Sequence, residues 1–323
     1  MKKNGIFRLI YGLALISSSA FILLDAFLIP KVGVKVDTQS QNYSLNRGLN
    51  LNSDTATGQE TSLASTGLGY NTNIVNVSQK NVTSTSYTDD NMQISISSDR
   101  AYDTDIYVVD IKVSDVSLLK SAFAQDTYGK NITQATSSMA EGKNAILAIN
   151  GDYYGFRNAG YVIRNGLIYR DVSNHAEDLV LYADGQMKII NEDEVSASQL
   201  LEEGAVQVYS FGPGLVEDGQ VTVGTKTEVD QAMASNPRTA IGMIEPGHYI
   251  MVVSDGRTSA SQGLSLYQLA NYMKDKGASL AYNLDGGGSS TLYFNGNIIN
   301  NPTGGRGSSE RKVSDIIYLG YEL

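Results

Sequence analysis

The chain has 323 residues, 41% of them hydrophobic, which is enough for a sizeable core in one large domain or two small ones. Its net charge is −10, and no basic stretch is long enough to track a nucleic-acid backbone, so nucleic acid is not an expected partner. There is no cysteine, which excludes disulfides, thiolate catalysis and Cys-zinc sites.

At the N-terminus, Lys2, Lys3 and Arg8 precede or enter an apolar run from Ile6 to Ile29. The run is about 24 residues, enough to cross a bilayer of about 30 Å at 1.5 Å per residue. The basic flank predicts a cytoplasmic N-terminus. A signal peptide is the competing reading and would give a secreted protein. Against it, the small residues Ser17–Ala20 fall mid-run and Asp25 interrupts the end. An uncleaved anchor over residues 1–30 is therefore preferred, a single-pass attachment to the cell membrane that leaves the rest of the chain outside the cytoplasm. Residues 31–89 are rich in Ser, Thr and Asn and lack periodicity, which predicts a flexible tether.

The compact domain is expected over residues 90–323. Met92, Ile94 and Ile96 alternate, and Ile106–Val113 alternates again, so two strands open it. Ser114-Asp115 predicts the cap of a short helix reaching Ala124, and a second helix is expected over Ala135–Glu141. Ala145–Asn150 reads as a buried strand. Asn165-Gly166 and Asp184-Gly185 each mark a hairpin. Ser196–Glu203 reads as another short helix. Thr239–Ile244 and Tyr249–Ser254 flank a four-residue turn, a register that puts Arg238 opposite Asp255. A helix capped by Ser265 and stopped by Gly277 then leads to the strand Ser279–Leu284. This strand-helix-strand unit makes Tyr249–Ser254 and Ser279–Leu284 parallel. Asp255 and Asp285 then lie at one sheet edge, with Arg238 beside them. A last strand spans Val313–Leu319. Together these elements predict an α+β fold, mixed β-sheets with a few helices packed on them, in a single compact domain.

The sharpest local signal is Leu284-Asp285-Gly286-Gly287-Gly288-Ser289-Ser290. Three glycines cost backbone entropy and are kept where something comes close to the main chain. There is no nucleotide-loop pattern and no G-x-S-x-G elbow. Four blocks, Ala148–Tyr154, Asn236–Gly242, Val253–Arg257 and Asn283–Ser290, occur in the order found in the phosphodiester glycosidase family, which the chain resembles over roughly residues 90–323. The first block carries Asp152-Tyr153-Tyr154 where relatives often have Gly-Phe-Phe, so Asp152 ranks below Asp285.

The resemblance implies hydrolysis of a sugar from a sugar-1-phosphodiester. Asp285 and Asp255 are the candidate nucleophile and acid or base, and Arg238 the candidate phosphate fork, because a guanidinium meets two oxygens at once. A structural ion pair between Arg238 and Asp255 is the plainer alternative. Asn150, Gly151, Asp152, Tyr153, His175, Arg257, Gly286, Gly287, Gly288, Ser289, Ser290 and Arg306 are the candidate substrate-binding residues. Phosphate is a good leaving group, so a strong general acid is less necessary than in ordinary glycosidases, and the sequence itself requires no cofactor. A divalent cation, Ca2+ or Mg2+, stays compatible through a second reading, a metal-dependent phosphodiesterase using Asp255, Asp285 and Asp152 as oxygen ligands. A third reading is a non-catalytic, membrane-anchored binder of envelope polysaccharide. The expected substrate is a sugar-1-phosphodiester or an envelope glycopolymer such as an exopolysaccharide.

Overall fold

The computed structural model describes residues 29–35, 80–229, 235–304 and 309–321. The expected anchor, apart from its last residues, lies outside them. Among the described residues no helix is long and apolar enough to cross a membrane.

Among the described residues sheets dominate, with three short α-helices at Thr136–Gly142, Ala197–Glu202 and Leu266–Asp275. The largest sheet has nine strands. At its centre Arg238–Glu245 lies between His248–Ser254 and Leu280–Asn283, antiparallel to both. The two flanking strands therefore run parallel to each other, as the crossover through the helix requires. Ser265 caps that helix in a reciprocal capping box with Gln268. A five-stranded sheet packs against the first, with Leu147–Asn150 between Leu292–Phe294 and Asp315–Leu319. Alternation along the strands builds the layers. Tyr249, Met251 and Val253 join Leu147, Ile149, Leu292, Phe294 and Ile317 between the sheets. Ile250 and Val252 point the other way, onto Leu266, Leu269, Ala270 and Met273 of the helix. On the far side, Met139 and Ala140 of the first helix cover Ala148, Ile316 and Tyr318. The order is helix, sheet, sheet, helix, with a second five-stranded sheet at one end.

Four expectations differ in detail. The helix expected from Ser114 is a single turn at Val116–Leu118, and Leu119–Phe123 is a strand paired with Asp315–Leu319. The cap was legible, but the sheet edge takes the residues that follow it. The turn at residues 245–248 pairs Glu245 with His248, and a bulge absorbs Ile244, so Arg238 faces Ser254 and not Asp255. Asn81–Val82 and Ser86–Thr88 already pair onto the large sheet, before the expected domain start. Lys31–Lys35, expected in the tether, pairs antiparallel with Thr127–Lys130.

The sheets are tied together by a buried ion cluster. Arg164 is fully buried, with Nη2 2.7 Å from Asp152 Oδ2 and 2.8 Å from Asp315 Oδ2. Burial opposes its charge, but Asp152 and Asp315 more than offset this and hold the guanidinium above its ordinary value. Burial likewise pushes Asp315 up to about 7, against the pull of Arg164.

A second buried acid lies nearby. Burial, then the adjacent Glu192 carboxylate, pushes Asp178 from 3.8 up to about 10. Neither Asp178 oxygen has a hydrogen-bond partner, which adds to the cost of a charge there. Between about pH 4 and pH 10 the folded state holds a proton that the unfolded state releases, so this group lowers stability as pH rises. Asp178→Asn keeps a donor and removes the titration. Its melting temperature should fall less than the wild type's from about pH 5 to pH 9. Parallel curves for the two proteins would refute the assignment.

Candidate active site

The candidate residues gather where the two packed sheets meet. Strands 147–150 and 280–283 end at this edge, and strand 238–245 begins there. Asn150 clamps the edge: its Nδ2 donates to Asp285 O at 2.6 Å, and its Oδ1 accepts from Thr239 Oγ1 at 2.9 Å and Thr291 N at 3.2 Å. Asn150 is wholly buried, so its position serves the scaffold. A Cβ on Gly151 would run into the Asp315 carboxylate, which explains that glycine through the ion cluster.

A cleft of about 370 Å³ opens beside this clamp. Its wall contains Tyr153, Arg157, Phe211, Asn236, Arg238, Arg257, Asp285, Gly286, Gly287 and Arg311. Asp285 is its acidic residue, 7% exposed. Ser289 Oγ donates to Asp285 Oδ2 at 2.6 Å, and Arg311 Nη2 lies 3.0 Å from both carboxylate oxygens. Arg311 Nε also donates to Ser289 Oγ at 2.8 Å, closing a three-residue ring. Burial pushes the Asp285 carboxyl up, and Arg311 and Ser289 oppose it.

Four arginines line the cleft with this acid, and Arg311 touches it. Arg238 is 3% exposed, and its Nε donates to Leu264 O at 2.9 Å. Its Nη2 is buried and makes no hydrogen bond. Burial lowers the affinity of this guanidinium for its proton. Arg257 lies in the left-handed region (φ 62°), with Nε and Nη2 donating to Asn236 Oδ1 at 3.1 and 3.0 Å. The Arg157 guanidinium lies over the rings of Tyr153 and Phe211, at 5.9 and 5.2 Å from their centroids.

The glycine run is explained by neighbours within the protein. A Cβ on Gly286 would stand 2.8 Å from Pro237 O, and one on Gly288 2.6 Å from Gly304 Cα. Gly287 has φ 62°, and a Cβ there would meet Arg257 Nη2 at 2.7 Å. The run therefore lets the backbone and Arg257 close around Asp285. Gly287→Val should displace Arg257 and cut activity more than tenfold, and a crystal structure should show the guanidinium moved. Unchanged turnover would mean that the placement of Arg257 is dispensable.

Other expected residues sit elsewhere. Asp255 reaches the same edge but lies outside the wall of the Asp285 cleft. Its Oδ1 accepts from Asn301 N at 2.8 Å and Asn300 Nδ2 at 3.4 Å, and its Oδ2 from Tyr107 OH at 3.4 Å. Burial raises its pKa, and the Asn301 bond opposes that. Asp152 is taken up by Arg164, Tyr154 N and Ser210 N. His175 is exposed and hydrogen-bonded to Asp193. Ser290 is buried, with no partner for its hydroxyl. Arg306 lies outside the described residues. Asp152, Asp255 and Asp285, the metal ligands of the second reading, each engage different partners. Among the described residues no group of three His, Asp or Glu side chains is gathered for a metal ion. Sequence reasoning missed Arg311. It sits in a glycine- and charge-rich stretch with no periodicity, and only the spacing from Asp285 in three dimensions singles it out.

Comparison with known proteins follows this geometry. A family model described as phosphodiester glycosidase matches residues 143–320, more than half of the chain, and spans Asn150, Arg238, Asp285 and Arg311. An SPbeta prophage-derived uncharacterized protein, YomE of Bacillus subtilis, is 33% identical over 202 residues, which is 60% of this chain and 31% of that one. Human N-acetylglucosamine-1-phosphodiester alpha-N-acetylglucosaminidase is 29% identical over 126 residues, 35% of this chain and 24% of the human one. The chain thus spans less than a third of the length of these curated relatives. The catalytic domain of the zebrafish enzyme superposes with a TM-score of 0.57 at 21% identity, covering 71% of this chain and 83% of that one, a likeness of fold. The blocks that carry Asp285 and Arg238 thus sit on a shared fold and inside a matched family model, and the chain belongs to the phosphodiester glycosidase family.

Proposed function

We propose that the protein hydrolyses sugar-1-phosphodiesters by breaking the bond between the anomeric carbon and the phosphate oxygen. The observation that carries this reading is a cleft lined by four arginines and one buried carboxylate. Arg238 offers to a phosphate oxygen a buried Nη2 that makes no hydrogen bond within the protein and only a long ion pair with Glu228. Arg257 and Arg157 extend the cationic wall. Asp285 faces the positive charge that develops on the sugar ring as the bond breaks. Arg311 and Ser289 fix its orientation. The name of the human relative supplies the substrate class, N-acetylglucosamine-1-phosphodiester.

The envelope setting belongs to the same proposal. The basic flank and apolar run at residues 6–29 support an anchored domain outside the cytoplasm, acting on an envelope or extracellular glycopolymer.

The test uses the purified full chain, a panel of sugar-1-phosphodiesters and water labelled with oxygen-18. Label in the released sugar is the expected result. Label in the phosphate would convert the assignment to a phosphodiesterase. Binding of an envelope polysaccharide with no product from any diester would leave a binder.

A further inference from the structure

The proposed reaction needs a group to deprotonate the attacking water, and neither expected aspartate is free for it. Both Asp285 oxygens are engaged by Arg311, and Oδ2 also by Ser289. Asp255 lies outside the wall of the Asp285 cleft and holds the Asn300-Asn301 loop.

The cleft continues into a second compartment of about 750 Å³, and Arg157, Phe211 and Val229 line both. Two carboxylates line this second compartment, Glu177 and Glu228. Glu177 Oε2 accepts from Gly214 N at 3.0 Å. Glu228 Oε2 is buried with no hydrogen-bond partner. It stands 3.5 Å from Arg238 Nη2, which is also without a hydrogen bond. Glu228 Oε2 and Arg238 Nη2 thus form a long ion pair in which neither atom makes a hydrogen bond. A buried carboxylate oxygen and a buried guanidinium nitrogen are costly to leave unsatisfied. Such a pair fits a site that a water and a phosphate oxygen complete.

We propose that Glu228 is the base that activates water. This rests on the glycosidase reading above. Glu228 takes a proton from water, and the water oxygen bonds to the anomeric carbon. The bond from that carbon to the phosphate oxygen breaks, and its electron pair stays on the phosphate. The products are the free sugar and a phosphomonoester dianion beside Arg238. Glu228 then releases the proton to solvent. Asp285 serves as the electrostatic partner of the sugar cation and Glu228 as the proton acceptor, so the two carboxylates have separate roles.

The experiment compares full-length wild type, Glu228→Gln and Glu228→Ala on one sugar-1-phosphodiester that the wild type cleaves. In Glu228→Gln, kcat should fall about a thousandfold with KM little changed, and the acidic limb of the pH profile of kcat should disappear. Sodium azide, which needs no deprotonation, should restore turnover of Glu228→Ala and give a glycosyl azide detectable by mass spectrometry. A raised KM with unchanged kcat and an intact acidic limb would overturn the proposal and leave Glu228 as a charge partner of Arg238. So would failure of azide in a variant that melts like the wild type. A wild type that cleaves no diester would overturn the glycosidase reading itself, an outcome distinct from a defect confined to the Glu228 variants.

Discussion

Asp285→Asn is expected to lower kcat/KM by about a thousandfold or more, on the order of the loss when a preorganised electrostatic stabiliser is removed. The substitution keeps shape and keeps an oxygen for the Ser289 hydroxyl, which donates to the carboxylate at 2.6 Å. It removes the negative charge. Arg311 is 42% exposed at its side chain, so water compensates for its lost partner and stability should change little. The measurement is steady-state turnover of a cleavable diester beside a thermal melt. A drop of less than tenfold with an unchanged melt would move the chemistry away from Asp285. A large fall in melting temperature would show instead that the ring of Asp285, Ser289 and Arg311 holds the fold.

The second large effect is on stability. Arg164→Met removes the cation bonded to two buried carboxylates, Asp152 and Asp315, at 2.7 and 2.8 Å. Breaking a buried pair from one side typically costs about 3–5 kcal/mol, because the remaining charge stays buried. Two acids are left here. The melting temperature should fall by about 10 °C, from about 2–4 °C per kcal/mol for a domain of this size. Asp315, already pushed up to about 7, should take up a proton in the variant, so the loss should shrink toward acidic pH. Arg238→Met is the contrasting case. That arginine lines the cleft with an Nη2 that makes no hydrogen bond, and its replacement should cost activity far more than stability. Equal melts for the Arg164 variant and the wild type would show that the cluster does not tie the sheets together.

The sequence allowed the fold to be read wherever local chemistry had one outcome. Asn165-Gly166 closes a hairpin because both positions take positive φ, and Ser265 and Gly277 bound a helix whose apolar face is legible at helical spacing. Asp285 and Arg238 were visible for a related reason, since each sits in a short block whose residue types are unusual together. What escaped reading depended on long-range partners. Leu119–Phe123 followed a good helix cap, yet it became a strand because Asp315–Leu319, nearly two hundred residues later, offers it an edge. Arg164 stands directly before the Asn165-Gly166 turn with no local signal of its role, and two acids from other elements draw it inside. Asp255 and Asp285 share the sheet edge that the crossover predicted, and still only one lines the Asp285 cleft, because the Asn300-Asn301 loop covers the other. Glu228 and Arg311 had no motif at all.

The pairing of Lys31–Lys35 with Thr127–Lys130 has a mechanical consequence. A pull applied at the N-terminal side of Ile29 is delivered straight into a strand of the enzyme body. That strand is close to the reaction site: Asn131 N donates to Gly155 O at 3.0 Å, and the ring of Tyr128 stacks 5.3 Å from that of Tyr154, the neighbour of Tyr153 in the cleft wall. A load on Lys31–Lys35 is thus passed through Thr127–Lys130 toward the cleft wall.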